Sequence, residues 1–289
     1  DQRQQDRDGL SRAGRQSIRG GLIVALASTV WDANLYLKFA DARTRPALDL
    51  MGRLDPANAA RPGHAIYDLG CGAGNISRIL AERFPGAPVV GIDSSEQMLD
   101  KARSQTADPR VSFARGDLAQ FKPDAPPSIL YSNAAYQWLP GHIDMFPGLM
   151  KLLPSGGQLA IQMPRNHEAP SHALMRAAAE AGPWKDKLKG VGGIARVEDP
   201  ARYFDVLKPF ASDLEVWETI YQQVLTGKDP VAQYTASTGL RPFMEALDKS
   251  EQTPFYDTYA ALTAKAYPTR ADGITLFPFR RLFIVARRA

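Results

Sequence analysis

Five short apolar runs alternate with segments of helical character through the first half of the chain, and this alternation constrains the fold more than any other feature. The runs cover residues 65–69, 89–92, 111–113, 129–131 and 158–162, and apolar residues recur at helical spacing at 76–83, 96–103 and 142–153. Strands that alternate with helices form βαβ units, with parallel strands and helices on both faces of the sheet. The pattern therefore predicts an α/β fold whose ligand site lies beyond the carboxyl ends of the strands.

The second half of the chain is less regular but supplies the remaining strands. Residues 173–181 have helical spacing, 214–224 and 282–286 are typical of strands, and 231–266 predicts several helices around Gly239 and Pro242. Together these segments predict a Rossmann-like sheet of seven mostly parallel strands with helices on both faces. The helices inserted before the last strand, over residues 230–268, are expected to form a lid over the edge of the sheet.

The N-terminal part of the chain differs in composition from the rest. Residues 1–19 are rich in Gln and Arg, and residues 21–30 form an apolar stretch that is shorter than the roughly 18–20 residues needed to span a bilayer. We expect residues 1–30 to be an extension without chemistry, rather than an export signal, and residues 31–289 to form the functional domain. Asp32 and Asn34 offer caps to a helical segment, 35–51, that Pro46 interrupts.

Composition bears on nucleic-acid binding, on disulfide bonds and on zinc binding. The chain has 35 Lys and Arg against 31 Asp and Glu, and a net charge of +4 does not by itself indicate a nucleic-acid interface. The same charge suits a small acidic ligand. A single cysteine, Cys71, cannot form an intramolecular disulfide, and the four histidines have no partner thiols at zinc spacing. We expect no metal, no nucleic-acid or membrane partner, and a cytoplasmic location in which Cys71 stays reduced.

The segment Asp68-Leu-Gly70-Cys-Gly72-Ala-Gly74-Asn75 is the strongest local signal, because it follows a predicted strand and opens a predicted helix. Glycines permit a tight turn there and leave backbone N–H groups free to meet a ligand. The dinucleotide pattern G-x-G-x-x-G would need glycine where Asn75 stands, so the spacing disfavours a nicotinamide cofactor.

An acidic residue stands at the end of each of the first three predicted strands: Asp68, Asp93 and Asp117. Taken singly, each would be a helix cap or a turn residue. At one edge of a sheet, however, the three can contact in turn an amino-bearing cation, a ribose diol and an exocyclic amine. S-adenosylmethionine carries all three groups, and the acidic series together with the glycine loop predicts it as the cofactor.

Three residues follow the fourth predicted strand at the same edge: Asn133, Tyr136 and Trp138. Methyltransferases that act on nucleic-acid amino groups have Asn/Asp-Pro-Pro-aromatic at this place, and the absence of the two prolines disfavours a nucleobase as acceptor. Two roles remain open for the aromatic residues, which either contact the acceptor or pack the edge of the sheet.

With these motifs the chain resembles the class I S-adenosylmethionine-dependent methyltransferases and, within them, the trans-aconitate 2-methyltransferases. The resemblance spans residues 31–288. Besides the glycine loop it is carried by residues 31–39, 43–46, 91–95, 133–138, 162–164, 238–242 and 281–286. The segment 31–39, Gln162-Met-Pro164 and Thr238-Gly-Leu-Arg-Pro242 are its most particular parts. The implied reaction is transfer of a methyl group to one carboxylate of trans-aconitate, giving a monomethyl ester and S-adenosylhomocysteine.

The resemblance also implies which residues form the site. The expected cofactor-binding residues are Tyr36, Arg45, Asp68, Gly70, Cys71, Gly72, Gly74, Asn75, Asp93, Ser94, Met98, Asp117, Leu118 and Asn133. The expected substrate-binding residues are Trp31, Trp138, Arg165, Arg241 and Arg281. No catalytic side chain is expected, because a carboxylic acid with a pKa near 4 is already ionised at neutral pH and needs no general base.

Arginines are the expected anchors of a substrate with three carboxylates, because two of these do not react and Arg pairs with a carboxylate through two hydrogen bonds. Arg241 and Arg281 are the first candidates, with Arg165 and Arg280 behind them. For each of these arginines the alternative is that the side chain is a solvated charge on the protein surface. Arg165 and Arg280 also depart from the family pattern. His172 is expected to cap or pack a helix.

Three alternatives remain open on the sequence alone. One is a methyltransferase with a different small-molecule acceptor. Another is a nicotinamide oxidoreductase built on the same sheet. The last is a protein without enzymatic activity that binds the methyl donor or associates with nucleic acid.

Overall fold

The computed structural model describes residues 44–192, 196–236 and 238–289, which belong to one compact unit, Asp32–Ala289. Expectations that fall on residues 1–43, including those for segment 1–30 and for the first part of segment 35–51, lie outside the described residues. No helix within the described ranges is long and apolar enough to cross a membrane.

Seven strands form one sheet in the order β3-β2-β1-β4-β5-β7-β6. They are β1 (Ala65–Leu69), β2 (Val89–Asp93), β3 (Val111–Arg115), β4 (Pro127–Asn133), β5 (Gln158–Pro164), β6 (Ala211–Leu225) and β7 (Thr275–Arg288). Strands β1 to β5 pair in parallel, whereas β7 runs antiparallel to both β5 and β6. The predicted Rossmann-like, mostly parallel sheet of seven strands is confirmed. The strand order reverses between β1 and β4, which is where such sheets bind ligands.

The described part of the chain contains ten α-helices. They are α1 (Arg45–Met51), α2 (Pro56–Ala59), α3 (Asn75–Arg83), α4 (Glu96–Ser104), α5 (His142–Leu152), α6 (Pro170–Ala181), α7 (Pro200–Leu207), α8 (Pro230–Ala236), α9 (Arg241–Ala246) and α10 (Lys249–Ala266). Helix α4 begins after Ser95, whose hydroxyl accepts from the Met98 amide, and α10 begins with a capping box of Asp248 and Glu251. Pro46 lies in the first turn of α1, where its missing N–H breaks no hydrogen bond.

The central strands are buried on both faces, which explains their continuous apolar sequences. Ile66 packs in one apolar cluster with α1 and α3, whereas its neighbours Tyr67 and Leu69 pack on the other face with α5 and α7. Strand β7 alternates in the same way, with Phe283 on the first face and Ile284 on the second. Because side chains alternate along a strand, the two clusters hold helices on both faces of the sheet.

The ribbon of β6 and β7 is longer than the sequence pattern indicated. The strand predicted at 214–224 extends over Ala211–Leu225, and the one predicted at 282–286 extends over Thr275–Arg288. Charged residues within both strands obscured the pattern, because an antiparallel ribbon with one solvated face accepts polar side chains at alternate positions. The buried Arg281 lies inside this ribbon.

The inserted helices α8 to α10 lie between β6 and β7, as predicted for residues 230–268. Together with α6 they enclose an apolar cluster separate from the two beside the sheet, which includes Met175, Trp184, Phe243, Phe255 and Tyr259. The sequence analysis did not identify α2 or α7, which are short and begin at Pro56 and Pro200.

We predict that Phe283→Ala lowers the free energy of unfolding by about 3–5 kcal/mol, because truncation of a buried aromatic leaves a cavity. Phe283 is fully buried and stacks on Trp217 with ring centroids 4.9 Å apart. Leu276→Ala on the same strand is the control, since Leu276 is 39% exposed and its truncation should cost less than about 0.5 kcal/mol. Urea unfolding measures both, and equal effects would contradict the assignment of Phe283 to the core.

Candidate active site at the carboxyl ends of the strands

The glycine loop joins β1 to α3, and its three glycines have positive φ angles of 81°, 54° and 73° at Gly70, Gly72 and Gly74. A Cβ atom at Gly70 would lie 2.2 Å from the Cβ of Ala135, and one at Gly74 would lie 2.6 Å from the Phe113 ring. At Gly72 it would meet nothing within 4 Å. Gly70 and Gly74 are thus packed against the protein, whereas Gly72 faces open space.

Asp93 fixes the loop from the end of β2. One carboxylate oxygen accepts from the Gly72 amide and the other from the Ser95 amide, both at 2.9 Å. Each carboxylate oxygen has a second lone pair, and the residue is only partly buried. Asp93 therefore remains able to accept from a ligand diol while it holds the loop.

Asp68 lies near the end of β1, two residues before the first glycine of the loop. It is buried and accepts a 2.6 Å hydrogen bond from the Ser77 hydroxyl. Burial raises the pKa of Asp68 to about 7; the bond from Ser77 opposes this shift and the charge of Asp93 adds to it. A cation above the loop would stabilise the ionised form, so Asp68 suits an amino-bearing ligand.

The residues expected around adenine lie beside the loop. Leu118 is adjacent to Gly70, because its Cδ1 atom is 3.6 Å from the position of a Cβ atom there. Asp117 is exposed and caps the short helix Leu118–Gln120 by accepting from the Ala119 amide. Ser94 and Met98 are also exposed, and a 45% exposed methionine at this edge is an apolar surface that a flat ring can cover.

For four other expected cofactor residues the structure gives less support. Asn75 is exposed, and its side-chain oxygen accepts from Arg78 at 2.5 Å. Cys71 is buried, and burial raises the pKa of its thiol, so it packs the loop as a neutral residue. Arg45 is exposed and lies 3.9 Å from Asp49. Tyr36 lies outside the described residues, as does the expected substrate residue Trp31.

A cavity of about 270 Å³ opens beyond the carboxyl ends of β4 and β5. Asn133 and Trp138 line it after β4, and Tyr234 and Gly239 line it from the inserted helices. Ala134 at its wall has a φ of 55°, donates from its amide to Gln162 O and accepts from the Gln137 side chain. Such strained backbone geometry is typical of functional sites. Trp138 lines the cavity and is 45% exposed, which favours contact with an acceptor over packing of the sheet edge.

Arg281 is the arginine that the structure places in this cavity. It lies opposite Pro164 in the pairing of β7 with β5, is 7% exposed, and lies over the Phe279 ring at 4.8 Å. Its Nη1 atom donates to Gln162 Oε1 at 3.2 Å, and no acidic side chain of the described residues forms an ion pair with it. Burial lowers the pKa of its guanidinium. A buried cation without an acidic partner is costly, and an anionic ligand would supply the missing charge.

Buried polar atoms without hydrogen-bond partners gather around this cavity. Within the described ranges six residues have such side-chain atoms, and four of them line the cavity: Asn133, Gln137, His167 and Arg281. The unpartnered atoms of Asn133 and Gln137 after β4 are acceptors, whereas those of Arg281 and its neighbour Gln162 are donors. The cavity therefore offers acceptors on the side of the glycine loop and donors on the side of β7.

The structure does not bring the other candidate arginines into the cavity. Arg241 is exposed at the start of α9 and pairs with Glu245 at 2.9 Å, because residues one helical turn apart share a face. The side chain of Arg165 is mostly buried but pairs with Asp199 and Glu218. Arg165 and Arg280 line a separate cavity of about 420 Å³ instead. The expectation that Arg241 and Arg165 contact the substrate is not supported by their positions.

Sequence reasoning missed His167 and gave His172 a capping or packing role, yet both line the cavity. His172 contacts Ser171 Oγ through Nδ1 at 3.2 Å, and burial, together with Arg176 and His167, lowers its pKa to about 4. Four residues separate the two histidines in sequence, a spacing that metal sites also use, but they have no third ligand in the described part of the chain. No group of His, Cys, Asp and Glu among residues that the structure describes could hold a metal ion.

Solved structures and a domain family share this arrangement. A family of methyltransferase domains matches residues 66–157. The YcgJ protein of Bacillus subtilis superposes with a TM-score of 0.52 at 14% identity, over 85% of this chain and 99% of that one. Phosphoethanolamine N-methyltransferase 2 of Haemonchus contortus, solved with S-adenosylhomocysteine, superposes with a TM-score of 0.50 at 17% identity, over 85% of this chain and 53% of that one. The fold is that of a methyltransferase domain.

Curated relatives define the family more narrowly. The trans-aconitate 2-methyltransferase of Azoarcus sp. (strain BH72) is 46% identical over 89% of this chain and 99% of its own length. That of Methylobacterium radiotolerans is 42% identical over 90% of this chain and 98% of its own length. The chain belongs to the trans-aconitate 2-methyltransferase family.

The two kinds of glycine in the loop predict different outcomes for Gly72→Ala and Gly74→Ala. Both should lose about 1–2 kcal/mol to the left-handed backbone, and Gly74→Ala about 1–3 kcal/mol more through its clash with Phe113. Gly72→Ala should weaken binding of S-adenosylhomocysteine more strongly, because its methyl group enters the open space. Urea unfolding and calorimetric titration measure the two effects. Weaker binding by Gly74→Ala than by Gly72→Ala would contradict this assignment.

The raised pKa of Asp68 predicts a pH dependence. Between pH 4 and 7 the folded state binds more protons at Asp68 than the unfolded state, whose value is near 3.8, so the contribution of Asp68 to the free energy of unfolding should fall as pH rises through this window. His172, whose pKa is lowered to about 4, contributes in the opposite direction. The ammonium of S-adenosylhomocysteine favours ionised Asp68, so its affinity should rise between pH 5.5 and 7.5. Asp68→Asn should remove the Asp68 contribution, so that the free energy of unfolding changes more positively with pH than in the unsubstituted protein, and should abolish the rise in affinity. The exposed Asp100→Asn should change neither pH dependence. Affinity independent of pH in the unsubstituted protein would contradict the prediction.

Proposed function

We propose that this chain transfers the methyl group of S-adenosylmethionine to a carboxylate of trans-aconitate, giving a monomethyl ester and S-adenosylhomocysteine. The observation that carries the proposal is Arg281, a buried guanidinium in the acceptor cavity without an acidic partner among the described residues. The curated relatives named as trans-aconitate 2-methyltransferases support the same acceptor. A different small carboxylic acid as acceptor is the alternative that this observation leaves open.

The cofactor residues proposed from the sequence fit the geometry around the glycine loop. Gly72 would let the methionine part approach the backbone, Asp68 would face its ammonium, and Asp93 would accept from the ribose hydroxyls. Asp117 and Leu118 would contact adenine. Bound there, the cofactor supplies a sulfonium methyl group as the electrophile.

The acceptor side needs orientation rather than a base. Arg281 would pair with one carboxylate that does not react, and Gln162, whose Oε1 accepts from Arg281 Nη1, would hold the guanidinium in place. A reacting carboxylate is ionised at neutral pH, so no side chain has to remove a proton. Holding the reacting atoms in line can supply about 7–11 kcal/mol of the barrier reduction. The cavity walls help further by excluding water, because an anion and a cation become neutral groups in this step.

The inserted helices would complete the site as a lid. Tyr234 and Gly239 already line the cavity from this insertion. We assign the activity to residues 31–289 and no chemistry to residues 1–30. The proposed location is the cytoplasm, where Cys71 would stay reduced.

Incubation with methyl-labelled S-adenosylmethionine and trans-aconitate tests the function. We expect one base-labile methyl group per acid, identified by mass spectrometry as a monomethyl ester. Absence of label from trans-aconitate and from a panel of di- and tricarboxylates would refute carboxyl methylation by this chain.

Arg281→Ala should lower kcat/KM for trans-aconitate, mainly through KM, because a carboxylate then lacks its cation. Truncation of one partner of a buried charge pair typically costs about 2–5 kcal/mol, which corresponds to a decrease in kcat/KM of roughly 30- to 5,000-fold. Arg281→Lys should recover part of the activity, since it keeps the charge but not the planar fork. Arg241→Ala, at an exposed paired arginine, is the control and should change kcat/KM less than about twofold. Unchanged binding of S-adenosylhomocysteine would show that each variant is folded.

A further inference from the structure

The acceptor cavity has fewer arginines than a tricarboxylate needs. Of its three carboxylates one reacts, and the other two require partners. Among the described residues that line the cavity, Arg281 is the sole arginine and lysine is absent, whereas His167 and His172 are the other side chains able to carry positive charge. Among the described residues of the lining, the histidines are therefore the candidates for a second anchor.

His167 is the histidine of the cavity whose ring nitrogens lack hydrogen-bond partners in the described part of the chain. Both nitrogens are buried. Nε2 lies 3.5 Å from Glu168 Oε1, within ion-pair distance once the ring is protonated. Unsatisfied buried polar groups are costly, and a ligand that accepts from Nδ1 would remove part of this cost.

The charges around His167 oppose one another. Glu168 favours the protonated ring, whereas burial, Arg165 and Arg196 disfavour it. His172 and Arg176 on α6 face the same region, and Arg176 donates to the backbone oxygen of His167. Arg281 and Tyr234 line the cavity from the side of β7 and the insertion. The sum of these effects lowers the pKa of His167 below its usual value, so the ring is neutral at pH 7.5 in the free protein.

We propose that His167 is the second carboxylate anchor of the acceptor site and takes up a proton when a tricarboxylate binds. The proposal rests on the proposed function and extends it to the choice among acids. His167 pairs with the carboxylate that neither reacts nor contacts Arg281, so it favours acids with a third carboxylate. Glu168 then holds Nε2, which leaves Nδ1 as the donor to the ligand.

His172 has a different role. Its Nδ1 contacts Ser171 Oγ, and its ring lies against Gly239, since a Cβ atom there would be 3.2 Å from Nε2. With a pKa near 4 it stays neutral and packs α6 against the insertion. His172 therefore stabilises the wall of the cavity rather than the charge of the acid.

The test compares His167→Gln with His64→Gln by calorimetric titration of the full chain saturated with S-adenosylhomocysteine. Glutamine keeps a hydrogen-bond donor and removes the titratable charge. His64 is only partly buried and precedes β1, at the opposite edge of the sheet, so its variant is a matched control. The ligands are trans-aconitate and glutaconate, which lacks one of the three carboxylates. Titrations at pH 7.5 in two buffers with different ionisation enthalpies give the number of protons taken up.

We expect His167→Gln to weaken binding of trans-aconitate roughly tenfold to a hundredfold and to abolish an uptake of about one proton per site. Affinity for glutaconate should change less than twofold, because Arg281 alone holds its unreactive carboxylate. His64→Gln should behave like the unsubstituted protein with both acids. A purely structural role of His167 would instead weaken both acids alike.

Three results would overturn the proposal: equal losses for both acids, proton uptake that persists in His167→Gln, or unchanged affinity for trans-aconitate. Failure of the proposed function is a separate outcome. In that case the unsubstituted protein would bind S-adenosylhomocysteine, but it would bind neither acid and would form no methyl ester.

Discussion

The antiparallel pairing of β7 with β5 is the constraint on which the acceptor site depends. It places Arg281 opposite Pro164 at the carboxyl end of β5, while Ile284 and Phe283 of the same strand pack on opposite faces of the sheet. A one-residue shift would move every side chain of β7 to the other face of the sheet. The burial of these apolar residues therefore fixes the register of β7. Arg281 is therefore held in the interior by the stability of the whole strand, and its charge is available for an anion.

The edge of the sheet at the carboxyl ends of β1, β2, β4 and β5 separates two kinds of charge. On the side of β1 and β4, Asp68, Asp93 and the unpartnered oxygen of Asn133 favour a ligand that carries positive charge and hydrogen-bond donors. On the side of β5 and β7, Arg281 offers donors to a carboxylate. In the proposed function, the sulfonium donor and the carboxylate acceptor would bind on opposite sides of this edge, and the polarity would orient both before they react.

The sequence places the glycine loop and the acidic strand ends near one another more directly than it places the arginine of the cavity, for a physical reason. The glycine loop, Asp93 and Asp117 follow directly from strand ends, so local patterns place them near one another. Arg241 lies between Leu240 and Pro242 and Arg281 between Arg280 and Leu282, and these neighbours do not show which arginine is buried. In the structure, Arg241 reaches Glu245 on the same helix, whereas Arg281 projects from a strand that pairs with a distant one. His167 lies in a loop without periodicity, and no local signal marks its two unpartnered nitrogens.

The sequence by itself determined the α/β class, the glycine loop, the acidic series at the strand ends and the inserted helices, because each arises from the spacing of neighbouring residues. Tertiary structure alone decided which cation is buried without an acidic partner and which polar atoms surround the cavity. These properties come from contacts between residues more than one hundred positions apart, such as Gln162 with Arg281. Local propensity cannot encode such contacts, since they arise only when the sheet closes and its side chains compete for partners.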